Sequence, residues 1–103
     1  MYKIELLPLA KNDLDNAVFY ITYKFKNPIA AQKLISKFNE CIKNVVQFPY
    51  GESIIYLDKN LSNEYRIARF NNYYIFYIVD EIENKIVITR IIYNKIDYYN
   101  MLE

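Results

Sequence analysis

Residues 73–79 read YYIFYIV, and every side chain in this run is aromatic or β-branched. Side chains of these two kinds fit the pleated surface of a sheet, so the run predicts the strongest β-strand of the chain. The loops on either side of it, at Asn71-Asn72 and at residues 80–84, are short, which favours antiparallel pairing with its neighbours. Those further strands are predicted at residues 53–57, 65–70 and 85–92.

N-terminal to these strands, the sequence predicts one short strand followed by two amphipathic helices. Residues 2–6 alternate polar and apolar side chains and predict a first strand. From about Ala10 the spacing of three or four predicts an amphipathic helix with the stripe Leu14, Ala17, Val18, Ile21 and Phe25. Asn27 and Pro28 suit the N-cap and first position of a second helix. Its stripe comprises Ala31, Leu34, Ile35, Phe38, Cys41, Ile42 and Val45, and residues 48–51 (FPYG) end it.

Together these elements predict one α+β domain over residues 1–103. It has an N-terminal strand and an antiparallel helical hairpin packed on a small antiparallel sheet. The two strongest strands are apolar at both odd and even positions. One face of the sheet is therefore expected to carry the helices, and the other to be covered, concave or adhesive towards a partner.

Composition excludes several kinds of chemistry. The chain has no histidine and a single cysteine, Cys41, which excludes an internal disulfide, the usual Cys/His zinc sites and Ser–His or Cys–His nucleophiles. We expect no metal and no cofactor, and we expect Cys41 to be a small core residue. No membrane-spanning run or signal peptide is evident, so a cytoplasmic protein is expected. Net charge is only +1, although residues 1–50 hold seven lysines against four acids.

Arginine is the residue type that stands out as a candidate for binding. The chain has only three arginines, and all of them, Arg66, Arg69 and Arg90, fall on predicted strands. The planar guanidinium can grip a phosphate or a carboxylate with two hydrogen bonds. The alternative is that each arginine pairs with an acid such as Glu64 or Asp97 and only braces the sheet. Arg66 and Arg69 are three apart and should face opposite sides of a regular strand.

The twelve tyrosines suggest a second use of the sheet. Aromatic side chains on a sheet can stack the bases of single-stranded nucleic acid. Most of the tyrosines are expected to be structural, but four flank the arginines and are better candidates for stacking: Tyr65, Tyr93, Tyr98 and Tyr99.

Taken in order, these landmarks resemble the RelE/ParE superfamily of toxins from type II toxin–antitoxin modules. The similar segments are residues 10–14 (AKNDL, like A-x-x-D-L), Tyr20-Ile21, 28–31 (PIAA), 48–51 (FPYG), 65–67 (YRI), 73–80 (YYIFYIVD) and 90–98 (RIIYNKIDY). The last segment resembles the ending of the ParE-like, plasmid-stabilisation branch, with Tyr93 where other members have a histidine. The resemblance covers nearly the whole chain and implies growth inhibition, neutralised by a cognate antitoxin.

The resemblance leaves three functions open. ParE-like members bind and inhibit DNA gyrase, and the pattern of the last two strands favours this reading. RelE-like members are metal-independent endoribonucleases that cut mRNA on the ribosome, and the candidate catalytic residues would then be Arg66, Arg69, Arg90, Tyr93 and Lys95. A tyrosine or lysine acting as base would need its pKa lowered by ~3 units, roughly 4 kcal/mol. The third function is a non-toxic interaction module of the same fold.

The expected partners follow from the same resemblance. They are a cognate antitoxin and either DNA gyrase or the ribosome with its mRNA, and no membrane is expected to take part. A homodimer or a toxin–antitoxin hetero-oligomer is the expected assembly.

Overall fold

The computed structural model describes residues 1–51, 54–58 and 63–93. The elements in order are β1 (Lys3–Leu6), α1 (Pro8–Phe19), a π-helical turn (Tyr20–Lys24), α2 (Pro28–Gln47), β2 (Ile54–Asp58), β3 (Asn63–Phe70), β4 (Tyr73–Asp80) and β5 (Lys85–Tyr93). They confirm the predicted α+β fold, with an N-terminal strand and a helical hairpin on a small sheet. Residues 94–103, for which the sequence favours only a short tail with one or two helical turns, lie outside the described residues.

The sheet has the strand order β1-β5-β4-β3-β2. Strands β2 to β5 form the predicted antiparallel meander. Strand β1 differs, because it pairs in parallel with β5, from Lys3 opposite Lys85 to Leu6 opposite Ile88. This pairing covers only the first part of the β5 edge, and among the described residues no strand pairs with β5 on that side after Ile88.

Two asparagines shape the tight turns of the meander. Asn71 has φ 50° between β3 and β4, and Asn84 has φ 56° between β4 and β5. Asparagine tolerates this left-handed conformation better than most residues with a side chain. The turn predicted at Asn71-Asn72 is therefore confirmed, and its geometry follows from the residue type.

The helices begin at prolines. Helix α1 begins at Pro8, two residues before the predicted start, because proline has no amide hydrogen to lose at the first helical position. Helix α2 begins at Pro28 as predicted, and the side chain of Asn27 accepts a hydrogen bond from the Ala30 amide at 3.0 Å. That contact is the expected N-cap.

The main core lies between the helical hairpin and one face of the sheet. Its buried side chains include Leu34, Phe38 and Val45 of α2 and Ile75, Tyr77, Ile86 and Ile88 of the sheet. A smaller cluster occupies the opposite face and consists of Ile67, Phe76 and Ile92, with Tyr74 packed against it. Both faces therefore bury apolar residues, as the patterns of β4 and β5 predicted.

Three residues of the predicted helix stripes differ in how far they are buried. Cys41 is half-buried against the core, with its Sγ 3.7 Å from the carbonyl oxygen of Arg69. Ile35 and Phe25, by contrast, are 39% and 65% exposed, so their assignment to a buried stripe was wrong. Phe25 follows the π-helical turn, where the residues no longer advance by 100° each, and the stripe of α1 therefore stops at Ile21.

Candidate functional site

A β-bulge in β5 determines which side chains face the helices near its end. Phe76 of β4 pairs with Arg90, whereas the next residue, Tyr77, pairs with Ile88, so Thr89 is the extra residue. The hydroxyl of Thr89 donates a hydrogen bond to the carbonyl of Phe76 at 3.1 Å. A bulge changes the alternation of side chains that follow it. Ile91 consequently joins Ile88 in the main core.

Asp13 of α1 receives three hydrogen bonds from β5 just after the bulge. Its two oxygens accept from Nε and Nη2 of Arg90 at 2.8 and 2.9 Å, and Oδ2 also accepts from the amide of Ile91 at 2.9 Å. The amide of Ile91 lies beyond the last residue pair of β1 and β5, and Asp13 is its acceptor in place of a strand carbonyl. Both side chains are largely buried, and the hydrogen bond to Asp13 raises the pKa of Arg90 above its usual value. Asp13 therefore joins the first helix to the last strand.

A groove of about 790 Å³ opens beside this ion pair. It runs between the helical hairpin, the end of β5 and the turn between β3 and β4. Its lining is mostly apolar and aromatic: Asp13, Asn16, Ala17, Tyr20, Ile21, Phe25, Ala30, Leu34, Asn71, Asn72, Tyr73 and residues 90–93. Its volume lies in the range of ordinary ligand and peptide sites.

A series of aromatic rings connects the core to this groove. Phe38 contacts Phe70 with 5.6 Å between ring centroids, Phe70 stacks on Tyr73 at 5.5 Å, and Tyr73 meets Tyr93 edge-on at 5.5 Å. Burial and the neighbouring Tyr93 raise the pKa of Tyr73. Tyr93 is 37% exposed, so the series ends at the surface of the groove. We call this region the open end, defined by Tyr20, Phe25, Tyr73 and Tyr93.

Tyrosines at the other end of the sheet are held by hydrogen bonds. The hydroxyls of Tyr2 and Tyr50 both donate to Oε1 of Glu81, the latter at 2.7 Å, and the hydroxyl of Tyr77 donates to the carbonyl of Pro49 at 2.8 Å. The bonds from Tyr2 and Tyr50 hold the pKa of Glu81 below its usual range, and the bond to Glu81 raises the pKa of Tyr50 to about 12. We call this region, Tyr2, Tyr50, Tyr77 and Glu81, the clasped end.

The structure separates the three arginines. Arg66 lies near the clasped end, 3.7 Å from Glu64 and 4.9 Å from the Tyr50 ring centroid. Arg69 lies on the opposite face of β3, with its guanidinium 5.3 Å from the Tyr74 ring centroid. The ion pair between Arg66 and Glu64 is the bracing contact that the sequence suggested, and the opposite orientation of the two arginines follows the predicted alternation.

Of the candidate catalytic residues, Arg90 and Tyr93 come together, since both line the groove. Arg66 pairs across the sheet with Tyr77, and Tyr93 pairs with Tyr73. The rows of Arg66 and Tyr93 are thus offset by four positions along β4, about 13 Å in the strand direction, and the two residues lie on opposite sides of β4. Lys95, Asp97, Tyr98 and Tyr99 lie outside the described residues.

The sequence did not identify the helical side of the groove. Asp13 was noted only as part of a motif, and Tyr20 and Phe25 only as members of a motif and a stripe. A signal for Asp13 was present, since an acid lay among the apolar residues of a helix otherwise expected to bury that face. Its partner, Arg90, is 77 residues away in the sequence, so no local pattern connects the two residues.

In the part of the chain that the structure describes, no three His, Cys, Asp or Glu side chains lie where they could together hold a metal ion. No helix in residues 1–51 or the other described segments has the length and hydropathy to cross a membrane.

Comparison with known proteins identifies the family. Residues 4–98 match the family described as the ParE toxin of the type II toxin–antitoxin system parDE. The fold is similar to a solved structure described as the chromosomal ParDE TA system from P. aeruginosa, with a TM-score of 0.68 and 20% identity, covering 90% of this chain and 96% of that one. No curated relative matches the sequence. Because the family match spans most of its length, the chain belongs to the ParE toxin family of type II toxin–antitoxin systems.

Proposed function

We propose that this toxin arrests growth by binding and inhibiting DNA gyrase rather than by cutting RNA. The observation that supports this proposal is the separation of the three arginines. Arg66 contacts Glu64, Arg90 is held by Asp13, and Arg69 lies on the other face of the sheet from Arg66. Stabilising a pentavalent phosphate requires cations aimed at one point, and the described arginines are not arranged in that way.

The groove at the open end is the proposed binding site for the cognate antitoxin. An antitoxin segment could lie in this groove with its apolar side chains against Ala17, Ile21 and Tyr73. Asp13 occupies Nε and Nη2 of Arg90, so the remaining nitrogen can meet a carboxylate of the segment. The antitoxin segment is therefore expected to be apolar with an acidic residue near Arg90.

The gyrase proposal is tested with purified protein. Supercoiling of relaxed plasmid by gyrase is measured over a range of toxin concentrations, with and without antitoxin. We expect inhibition that rises with toxin concentration and disappears when the antitoxin is added in equal amount. Normal supercoiling at a large excess of folded toxin would reject gyrase as the target.

The ribonuclease remains a second candidate because Arg90 and Tyr93 both line one groove. Tyr93 could donate a proton to the leaving oxygen, whereas Arg90 would first have to leave Asp13 before it could contact the phosphate. Translating ribosomes carrying a defined mRNA are incubated with the toxin, and the mRNA is examined for cuts in the A site. Cleavage that is lost in Tyr93→Phe would favour this candidate over gyrase binding. A protein that neither cuts RNA nor inhibits gyrase nor arrests growth would be the non-toxic module.

A further inference from the structure

The tip of the helical hairpin exposes an unusual set of large apolar side chains. Phe19, Tyr20, Tyr23, Phe25 and Ile29 are each at least 50% exposed. The rings form two pairs, with Phe19 4.7 Å from Tyr23 and Tyr20 5.0 Å from Phe25 between centroids. A contiguous apolar patch rimmed by polar residues marks an interaction surface more often than chance exposure does. We call these five residues the hairpin tip.

The backbone fixes the shape of the hairpin tip. The π-helical turn is closed by the bond from the Phe25 amide to the Tyr20 carbonyl at 3.3 Å, and the Asn27 amide reaches the Ile21 carbonyl at 3.1 Å. Lys26 has φ 52°, which is unfavourable for a long side chain. π-Helical turns and left-handed residues of this kind are frequent at functional sites. The tip therefore holds its aromatic side chains outward at some cost to local stability.

The charged residues from the end of the first helix through most of the second are all basic, and the nearest acid in the sequence is Asp15, four residues before Phe19. Residues 16–39 contain four lysines and neither aspartate nor glutamate: Lys24, Lys26, Lys33 and Lys37. All four are exposed, and within the described residues Lys37 is the one of them in an ion pair, with Glu40 at 3.7 Å. A partner for this surface must be apolar at its centre and acidic at its rim.

We infer that the hairpin tip is the surface by which this toxin binds its target, and that the target presents an acidic protein surface with an apolar centre. The inference rests on the proposed function only in that the toxin acts by binding a protein. Two observations favour a protein over a nucleic acid or a lipid surface. The tip has no arginine, the side chain that binds a phosphate with two parallel hydrogen bonds. The Tyr20 and Phe25 rings meet edge-on at 83°, so they do not present parallel faces on which bases could stack.

The same geometry explains how an antitoxin would neutralise the toxin. Tyr20 and Phe25 belong both to the hairpin tip and to the lining of the groove. An antitoxin segment seated in the groove covers those two rings from one side. The target and the antitoxin therefore compete for them, whereas Phe19 and Tyr23 contact only the target.

The first experiment separates the two surfaces. A double variant, Phe19→Ser with Tyr23→Ser, is compared with the control variant Ile82→Ser. Ile82 is 94% exposed and lies in the turn between β4 and β5. The double variant should need at least about tenfold more protein than wild type for gyrase inhibition and for growth arrest. Its affinity for the purified antitoxin should stay within about threefold, which also shows that it is folded. Ile82→Ser should match wild type in all three assays.

The second experiment tests the charge. Lys24→Glu with Lys26→Glu is compared with Lys3→Glu and Lys11→Glu, an equal change of net charge at exposed positions away from the tip. The tip variant should weaken inhibition at least about tenfold, and the control by less than about threefold. Binding of the wild type to a single-stranded RNA or to anionic vesicles that is lost in the tip variant would overturn the assignment to a protein partner.

The failures of the two proposals are distinguishable. If wild type and the Phe19/Tyr23 variant inhibit gyrase equally, the inference fails and the gyrase proposal stands. If wild type arrests growth without inhibiting gyrase, the gyrase proposal fails, and equal arrest by the variant would overturn the inference as well. A wild type that has no effect in either assay overturns both.

Discussion

Tyrosines gather at both ends of this sheet, but the two ends hold them differently. At the clasped end the hydroxyls of Tyr2 and Tyr50 donate to Glu81, and that of Tyr77 donates to a backbone carbonyl. At the open end Tyr73 and Tyr93 contact each other through their rings, and Tyr93 reaches the surface. The two ends differ in the carboxylate that lies beside the tyrosines. Glu81 accepts hydrogen bonds from tyrosine hydroxyls, whereas Asp13, beside the open end, accepts from Arg90.

This comparison assigns different tasks to one residue type. A tyrosine whose hydroxyl is bonded within the chain stabilises the fold through that bond, even where its ring is exposed, as the ring of Tyr50 is. A tyrosine that exposes part of its ring beside an apolar groove can still gain contacts from a partner. A high tyrosine content therefore does not indicate binding by itself. The clasped end should govern stability, and the open end should govern recognition.

The largest effect is expected where the open end depends on an ion pair. Asp13→Ala leaves Arg90 and the Ile91 amide without their acceptor in a largely buried setting. The free energy of unfolding, measured by urea denaturation, should fall by about 3 kcal/mol. Glu5→Ala is the matched control, since it breaks the more exposed pair with Lys85 and should cost less than about 1 kcal/mol. Equal losses for the two variants would show that Asp13 has no special part in joining α1 to β5.

A matched pair of hydroxyl deletions compares the two ends directly. Tyr77→Phe removes the donor to the Pro49 carbonyl from a fully buried side chain and should destabilise the protein by about 1 kcal/mol. Tyr73→Phe removes a hydroxyl from a half-buried ring held by its neighbours and should change stability by less than about 0.5 kcal/mol. Thermal and urea unfolding of both variants give the comparison. A larger loss for Tyr73→Phe would reverse the assignment of the two ends.

Local patterns predicted most of the fold. The composition of β4, the turn at Asn71 and the cap at Asn27 each depend on residues adjacent in sequence, and each is confirmed. The parallel pairing of β1 with β5 was not predicted, because it joins segments 82 residues apart, from Lys3 to Lys85. No short-range pattern reports which edge of a meander a distant strand will join.

The candidate site was harder to predict for the same reason. Its shape depends on the bulge at Thr89, which turns Ile91 towards the helices, and on the π-helical turn, which leaves Phe25 exposed. Each is a one-residue departure from a regular period. Counting residues along the sequence assumes that the period is constant. Arg90 and Tyr93 were therefore recognised as candidates, whereas Asp13 and Phe25 were not.

The pH dependence of stability tests the clasped end. Hydrogen bonds from Tyr2 and Tyr50 lower the pKa of Glu81 in the folded protein below its unfolded value of 4.5. The resulting stabilisation is fully present above that value and is lost as the pH falls through the lower, folded pKa. The urea midpoint of the wild type should therefore drop more steeply below pH 4.5 than that of Glu81→Gln. Parallel curves for the two proteins would mean that these hydroxyls do not favour the charged carboxylate.

The smallest change in stability is expected at Phe25, although it should have a large effect on binding. The side chain is 65% exposed and contacts mainly the Tyr20 ring, so Phe25→Ser should alter the free energy of unfolding by less than about 0.5 kcal/mol. Because Phe25 also lines the groove, its affinity for the antitoxin should fall at least about tenfold by calorimetry. Ile82→Ser is the control for both measurements. A destabilised Phe25→Ser protein that binds the antitoxin normally would show that this ring supports the hairpin, and the open end would then resemble the clasped end in its task.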